Sequence, residues 1–297
     1  MLKIIQKRKY LYVFSLALTG LSLWALLSWG LKFNIDFTGG TIMKLESEKD
    51  LSREQVSEAL EDLNLGGLKV DIKDKEVNLK YLGSNDEINS QVFEKVKELD
   101  EKVRETSLDF IGSSVSTQLK KSAVWSVILG ILGIATYIAW AFKKVSRPVA
   151  SWKYGLGAVI ALFHDILITT GAFAFLGEFY QIEIGVPFIA AILTVLGYSV
   201  NDTIVVYDRT RENLLRSGAR DDFEDTVNRS LNEALARSIN TSLTVIIVLI
   251  FMVLFGSEAI RWFSVALLIG VGFGTYSSIY VASALLVTIY KFQLKKK

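Results

Sequence analysis

The sequence has 297 residues, of which 51% are hydrophobic and 22% charged, with a formal net charge of +2 and a mean hydropathy of +0.36. A soluble domain rarely combines these values, so the first feature to look for is a stretch of about 20 apolar residues, the length that crosses a bilayer. The absence of Cys excludes disulfides. With a single His as well, we expect no metal and no cofactor; a carboxylate-rich site shared with another chain is the one alternative.

Six candidate membrane spans follow one another along the chain. They are Tyr10–Leu31, Ser122–Phe142, Gly155–Leu176, Gly185–Tyr207, Ser238–Phe255 and Trp262–Tyr290. The first apolar stretch is too long for a cleaved signal peptide. We therefore predict a polytopic α-helical membrane protein with six transmembrane helices. Residues 1–31 form the N-terminus and first span, 32–121 a domain outside the bilayer, and 122–297 a five-helix bundle with a cytoplasmic amphipathic loop at 208–237.

Basic residues are concentrated on one side of these spans. They precede the first span and follow the second, fourth and sixth, as Lys3, Lys7, Arg8, Lys9, Lys143, Lys144, Arg147, Lys153, Arg209, Arg211, Arg216, Arg220, Arg229, Arg237, Lys291, Lys295, Lys296 and Lys297. The positive-inside rule then places both termini in the cytoplasm and residues 32–121 on the opposite side. Nucleic-acid binding is the other interpretation of such clusters, and we expect no nucleic-acid partner.

The segment between spans one and two alternates strand and helix patterns. The predicted elements are, in order, strand Gly40–Ser47, helix Leu51–Asn64, strands Gly67–Lys73 and Lys75–Gly83, helix Asn85–Val103 and strand Thr106–Gly112. This β-α-β-β-α-β order predicts a small ferredoxin-like α+β domain. Its acids fall on solvated faces and form no catalytic constellation. An open sheet of this kind could contact an extended polypeptide.

Span four carries an acid where hydrocarbon still surrounds the helix. Asp202 lies about 9 Å from the middle of the span, inside a hydrocarbon half-thickness of about 15 Å. Burying such a charge costs about 2.5–3.5 kcal/mol. Arg237, at the start of span five, can offset it. We expect a face with Tyr198, Ser199 and Asp202, next to Asn201, to meet a face with Arg237, Asn240, Thr241 and Thr244.

Span three has His164 and Asp165 at its midpoint. A carboxyl at this depth is costly when charged, and histidine exchanges protons near neutral pH. A single acid–Arg pair can simply hold two helices together, and a His can merely bond a carbonyl group. Acids on two spans, an Arg on a third and a His together favour ion handling, with protons as the coupling ion.

Two further patterns concern helix packing. Gly270, Gly274 and Ser278 recur at spacing four in span six, which lets another helix approach closely. Phe223, Val227, Leu231 and Leu235 recur every fourth residue between spans four and five, which predicts an amphipathic helix at the cytoplasmic surface. Gly218 is expected to end the extension of span four.

Several motifs resemble one family over nearly the whole chain. They are IDFTGG with Asp36, Gly39 and Gly40, FHD at 163–165, GYSVNDTIVVYDRTREN at 197–213, ARSINTS at 236–242 and IGVGFGTYSSIYVASAL at 269–285. Together they resemble the SecF subunits of the SecD/SecF family, in the resistance-nodulation-division superfamily. One span, an outer domain and five further spans are similar to half of such a transporter.

The resemblance implies an auxiliary subunit of the Sec protein-export machinery in the inner (plasma) membrane. It implies SecD, the SecYEG channel, exported unfolded polypeptides and the lipid bilayer as partners, and coupling of proton movement to late steps of translocation. Asp202 and Arg237 match the family's proton pathway, and His164 and Asp165 match a family-typical pair. A further acid of that pathway lies on SecD. The segment IGSSVSTQLKKSA departs from the family's VGP-type turn, which could alter the hinge before span two.

Other classes of protein stay open at this point. One is half of a proton-driven small-molecule or lipid exporter, and another is a scaffold of a secretion complex that transports nothing. We expect no enzyme, because the sequence has no nucleophile–base pair, phosphate loop or metal motif.

Overall fold

The computed structural model describes residues 1–82, 85–142, 149–217 and 222–295, with the backbone alone at 151, 258 and 259. It divides into two compact units, one formed by Met1–Lys32 with Val124–Lys297 and the other by Phe33–Ala123. In chain order the helices are α1 Arg8–Ser28, α2 Ile35–Thr38, α3 Arg53–Ala59, α4 Asp86–Leu99, α5 Ser113–Ala141, α6 Ser151–Tyr180, α7 Val186–Arg216, α8 Phe223–Phe255, α9 Glu258–Ser277 and α10 Ser283–Lys295. The strands are β1 Gly40–Glu46, β2 Gly66–Lys73, β3 Glu76–Leu82 and β4 Arg104–Ile111.

The first unit contains the membrane spans. Within the described residues, six helical segments are long and apolar enough to cross a bilayer, which confirms the predicted class. The sixth is not one regular helix, because a π-helical turn at Ser278–Ala282 joins α9 to α10. Most of α5 and the apolar half of α8 are exposed on this chain, whereas about half of the apolar stretches of α6 and α7 is buried. The centre of the bundle therefore lies around α6, α7 and α9.

Span five begins earlier than its apolar stretch suggests. The segment expected to form a separate surface helix is continuous with the span as α8, and Asp222 caps it by accepting hydrogen bonds from the N–H groups of Glu224 and Asp225. Phe223 and Val227 are buried in the bundle. No Gly or Pro interrupts this stretch, so the helix has no reason to break at the edge of the apolar part. Helix α7 ends at Arg216, and Gly218 lies outside the described residues.

The chain ahead of α1 is anchored to the first turns of α8. Asn228 Oδ1 accepts hydrogen bonds from the N–H groups of Ile4 and Ile5 at 3.0 and 3.2 Å. Arg8 pairs with Glu224 at 2.5 Å, and Lys291 pairs with the same carboxylate. Both Ile side chains are buried. Three separate parts of the chain are thereby joined at one end of the bundle.

The second unit is a sheet with two helices on one face. The strand order is β2-β3-β1-β4 with every neighbouring pair antiparallel. The core between sheet and helices consists of Met43, Leu45, Val56, Leu60, Val70, Val77, Leu79, Tyr81, Val92, Val96 and Val103. The predicted β-α-β-β-α-β arrangement is confirmed.

Helix ends in this unit differ from the predicted ones, and capping explains the difference. Ser52 and Gln55 form a capping box that starts α3 at Arg53. Asn64 takes a left-handed conformation, with φ of 46°, after a short 3-10 turn. Helix α4 ends at Leu99, because the side chain of Asp100 is bound to other backbone groups.

The IDFTGG motif turns the chain into β1. Asn34 caps the one-turn α2 by accepting a hydrogen bond from the N–H group of Asp36. Gly39 and Gly40 have φ of 73° and 123°, which other residues rarely adopt. A Cβ atom at Gly40 would lie 2.6 Å from the carbonyl oxygen of Tyr81. The two glycines are therefore required by the backbone at this turn.

Candidate functional site

Asp165 lies at the centre of the bundle and is fully buried on α6. Its Oδ2 atom accepts hydrogen bonds from Ser199 Oγ on α7 at 2.6 Å and from Ser277 Oγ on α9 at 2.7 Å. Its Oδ1 atom lies 3.0 Å from His164 Nδ1. A buried carboxyl is tolerated when its oxygens are hydrogen-bonded, and here three helices contribute the partners.

His164 is also buried, and one of its nitrogens has a partner while the other does not. Nδ1 faces Asp165, whereas Nε2 forms no hydrogen bond within the described part of the chain. When Nδ1–H donates to an ionised carboxylate, Nε2 keeps a lone pair that can accept a proton. The pair can thus hold one or two protons without losing the Nδ1–Oδ1 contact.

Close packing of α7 and α9 brings Ser199 to Asp165. A Cβ atom at Gly270 would lie 2.2 Å from Val195 Cγ2, and one at Gly274 would lie 2.9 Å from Ser199 Cβ. One turn further, Ser278 Oγ donates to the carbonyl oxygen of Ser199 at 2.9 Å. Small residues at these three positions let the two backbones approach.

The π-helical turn follows directly after this contact. Ser283 Oγ donates to the carbonyl oxygen of Ser278 at 3.1 Å, and Thr203 Oγ1 donates to Ser278 Oγ at 2.9 Å. Single π turns inside α-helices occur frequently at functional sites. The serines around Asp165 are therefore next to an irregular part of the helix.

Asp202 is 3% exposed and lies on the α7 face that meets α8. Its carboxylate accepts a hydrogen bond from Ser242 Oγ at 3.4 Å, and Ser242 Oγ also lies 2.6 Å from Thr275 Oγ1 on α9. Ser238, one turn before Ser242, is buried, and its hydroxyl forms no hydrogen bond among the described residues. The contacts of Asp202 are fewer and longer than those of Asp165.

The face of α8 that meets Asp202 differs from the expected one. Asn240, Thr241 and Thr244 are exposed, and both Thr hydroxyls donate to carbonyl oxygens of their own helix. Asn201 is also exposed, and Tyr198 is half-buried. Since Asn240 is two residues from Ser238 and from Ser242, it is turned about 200° away from the face they share. The expected contact between this stripe and Asp202 is absent from the described structure.

Arg237 is exposed and forms no ion pair with Asp202 among the described residues, although its charge still acts on that carboxylate. It lines a pocket of about 500 Å³ whose other charged residues are Asp208, Arg209, Arg211, Glu212 and Glu233. The ion pairs described there join Arg209 to Glu212 at 2.5 Å and to Glu233 at 2.6 Å, and Arg211 to Asp208 at 3.4 Å. The ion pairs of the described residues do not include one between Asp202 and Arg237.

Sequence reasoning missed Ser277, Ser242 and Thr275. Ser242 lies inside the ARSINTS stretch and Ser277 inside TYSS, so both motifs drew attention without showing which hydroxyls face inward. The i, i+4 spacing of Ser238 and Ser242 was the available signal. Over the described residues, no three His, Asp or Glu side chains come together as a metal site would require.

The fold and these buried groups define a multi-pass membrane protein with ionisable side chains at its centre. A family model described as "Protein export membrane protein SecD/SecF, C-terminal" matches residues 91–292. The chain belongs to this family, as the sequence motifs indicate.

Curated relatives match the chain over nearly its full length. The protein translocase subunit SecF of Sebaldella termitidis is 35% identical over 302 residues, which cover 100% of this chain and 94% of that protein. SecF of Haemophilus influenzae is 35% identical, with 94% of this chain and 83% of that protein covered. These relatives are named as translocase subunits, which are transport components.

Solved structures of SecDF share the fold. A crystal structure of SecDF from Thermus thermophilus, described as a translocon-associated membrane protein, matches with a TM-score of 0.82 and 31% identity over 97% of this chain. SecDF in a super-membrane-facing form matches with a TM-score of 0.70 and 30% identity over 99% of this chain. The chain spans 38% and 39% of those two chains.

Proposed function

We propose that this chain is an auxiliary subunit of the Sec protein-export machinery that couples proton movement to late steps of polypeptide translocation, together with SecD and the SecYEG channel. The observation that carries the proposal is the presence of two buried carboxyl groups, Asp165 and Asp202, inside neighbouring membrane spans. The distribution of basic residues supports cytoplasmic termini, with residues 32–121 on the opposite side of the inner membrane.

The two carboxyls are suited to gaining and losing protons. An ionised carboxylate at membrane depth is costly, so protonation relieves that cost. The described hydrogen bond to Asp202 is 3.4 Å long, from Ser242, so it opposes a change of charge less than the shorter bonds to Asp165 do. A membrane potential of about 100 mV supplies about 2.3 kcal/mol per proton, which shifts an equilibrium by roughly 50-fold.

The polar stripe on the outside of α8 supports SecD as the partner. Arg237, Asn240, Thr241 and Thr244 are exposed on this chain. Polar and charged side chains facing lipid are costly, so another protein is the better neighbour. We infer that this stripe faces SecD and that Arg237 pairs there with an acid of that subunit.

Movement of Arg237 between two acids would link the subunits. In the described conformation Arg237 and Asp202 are apart. Loss of the proton from Asp202 would draw Arg237 towards it, and protonation would release Arg237 to the acid of SecD. Such a two-state contact changes the packing of α8 against α7 and can tilt helices.

An export assay with Asp202→Asn tests the proposal. The amide has nearly the same shape but does not titrate. Asp208→Asn is the matched control, because Asp208 is an exposed carboxyl on the same helix. Export of a secreted reporter would be measured in cells that contain SecD, with and without the proton-motive force, and assembly with SecD would be checked by co-purification.

We expect Asp202→Asn to assemble and to lose the part of export that depends on the proton-motive force, while Asp208→Asn keeps it. Normal export by Asp202→Asn would remove the proton role and favour a scaffold. Loss of assembly in that variant would show that the contacts of Asp202 are needed for the structure of the complex.

A further inference from the structure

We propose that Tyr276 is the positioning residue that transmits protonation of the His164–Asp165 pair to α1. Helix α1 is the span that leads along the chain into residues 33–123. The inference rests on the proposed function, because it assumes that this pair exchanges protons. The inference adds that helix α1 responds when the pair gains or loses a proton.

Two consecutive residues of α9 face the two consecutive residues of the pair on α6. Ser277 Oγ donates to Asp165 Oδ2 at 2.7 Å. The ring of Tyr276 is stacked on the ring of His164, with centroids 6.3 Å apart and planes inclined by 28°. Each member of the pair therefore has its own contact on α9.

The hydroxyl group of Tyr276 reaches the other way, to α1. It donates to the carbonyl oxygen of Leu11 at 3.2 Å and lies 3.1 Å from Ser15 Oγ. Since a hydroxyl has one proton, Ser15 is the donor when Tyr276 binds Leu11. The edge of the Tyr276 ring also meets Phe14, with centroids 5.4 Å apart. Tyr276 thus contacts three residues of one turn of α1 and the imidazole on α6.

A change in protonation acts on both contacts with α9. A proton on His164 Nε2, which has no partner in the described ranges, places positive charge beside the face of an aromatic ring. A proton on Asp165 weakens the hydrogen bond that Ser277 donates, because bonds to charged groups are the stronger ones. Both effects fall on residues that immediately precede the π-helical turn at Ser278–Ala282.

The described contacts of the pair outside its own two residues are with hydroxyl groups and one aromatic ring. Among the described contacts, α7 contributes the hydroxyl of Ser199 to Asp165, and α1 contributes Ser15 and the Leu11 carbonyl group to Tyr276. Tyr280, one turn along from Tyr276, lies with its ring 5.1 Å from that residue. Because Asp202 also exchanges protons in the proposed function, the response of α1 has to be compared with that in Tyr276→Phe, which leaves Asp202 unchanged.

Spin labels on the complete complex with SecD test the inference. The sequence has no Cys, so Leu16→Cys on α1 and Leu156→Cys on α6, both at exposed positions, would carry the labels. The distance between them would be measured at pH 5.5 and pH 8.5. Tyr276→Phe keeps the ring and removes the bonds to α1, and Tyr280→Phe is the matched control. Ser15→Ala removes one bond from the side of α1, should Tyr276→Phe fail to fold.

We expect a pH-dependent change of this distance in the parent complex, its loss in Tyr276→Phe, and its retention in Tyr280→Phe. Ser15→Ala should reduce the change. The inference would be overturned if the distance changed with pH in Tyr276→Phe or in Ser15→Ala as much as it does in the parent complex. It would also be overturned if the distance in the parent complex did not change with pH. If Asp202→Asn abolishes proton-driven export while Tyr276→Phe behaves like the parent, this inference fails and the proposed function stands. Normal export by Asp202→Asn would instead remove the proposed function.

Discussion

Buried carboxyl groups in this chain are held in different ways, and the number of donors distinguishes them. Asp165 has two serine hydroxyls and an imidazole within 3.0 Å. Asp202 accepts one described hydrogen bond, at 3.4 Å from Ser242, and the Ser238 hydroxyl and the Arg237 charge also act on its carboxylate. We therefore expect Asp165 to keep its partners on α7 and α9 while protonation changes the strength of those bonds, and Asp202 to exchange its contacts more freely.

Asp100, in the second unit, shows what hydrogen bonds do to a carboxyl away from the membrane spans. Burial opposes its ionisation, but the N–H group of Lys102, the hydroxyl of Ser47 and the N–H groups of Lys49 and Glu48 all donate to it. These donors outweigh the burial and lower the pKa of Asp100 to about 2.

The lowered pKa of Asp100 predicts a pH-dependent stability of residues 33–123. The carboxyl has a pKa of about 3.9 in an unfolded chain. Its stabilising contribution is therefore complete above about pH 4 and is lost as the pH falls towards 2. We expect Asp100→Asn to be less stable at pH 7 and to lose this part of the pH dependence.

Urea unfolding of the 33–123 fragment between pH 2 and pH 7 measures the effect. Asp50→Asn is the control, because Asp50 carries an exposed carboxyl group and follows Ser47 closely in the sequence. If the free energy of unfolding of Asp100→Asn depended on pH as steeply as that of the parent, Asp100 would not be the source of the pH dependence.

At the level of helices, the contact of α7 with α9 is set by the absence of side chains. Gly270 lies against Val195 and Gly274 lies against Ser199, with no room for a methyl group in ordinary contact. Gly272, two residues from both, has nothing within 4 Å of where a Cβ atom would be. The three glycines lie on one helix and differ only in what they face.

This difference predicts opposite effects of the same substitution. Gly270→Ala should destabilise the bundle by about 1–3 kcal/mol, because the added methyl group forces α7 and α9 apart. Gly272→Ala should leave stability unchanged or raise it slightly, because alanine favours the helix. Thermal unfolding of the two purified variants in detergent would show the contrast. Equal midpoints would mean that α9 can shift without cost.

The sequence predicted where these helices occur better than it predicted which of their faces point into the bundle. The spacing of Gly270, Gly274 and Ser278 indicates one face, and this face lies on α7. For α8, two polar stripes start within two residues of each other, and periodicity alone does not say which faces the bundle. The stripe with Ser238 and Ser242 does, because α7 and α9 lie on that side.

At the scale of the whole molecule, the chain matches one part of longer SecDF chains. It corresponds to 38% of the SecDF chain of Thermus thermophilus. Its α5 and the apolar half of α8 are largely exposed, and α8 adds polar groups to that surface. An assembly in which SecD covers the outside of α8 removes those polar groups from lipid.

If SecD covers the outside of α8, a single cysteine placed there should be protected from labelling by a maleimide. Thr244→Cys lies on the polar stripe, and Val13→Cys lies at an exposed apolar position of α1. Because the sequence has no other Cys, a membrane-permeant maleimide would report each site alone. We expect Thr244→Cys to be labelled without SecD and protected with it, and Val13→Cys to be labelled in both. Equal labelling of Thr244→Cys in both samples would show that SecD binds elsewhere.

The sequence by itself determined the class of protein, the number of spans, the order of elements in the second unit and the family. These follow from the length of apolar stretches, from period-2 and period-3.6 patterns and from contiguous motifs, all of which are local along the chain. Only the tertiary structure decided that Asp165 meets Ser199 and Ser277, that Asp202 meets Ser242, and that Arg237 forms no described ion pair with Asp202. Those contacts depend on how far each helix is rotated about its axis, and rotation is set by packing against residues distant in sequence.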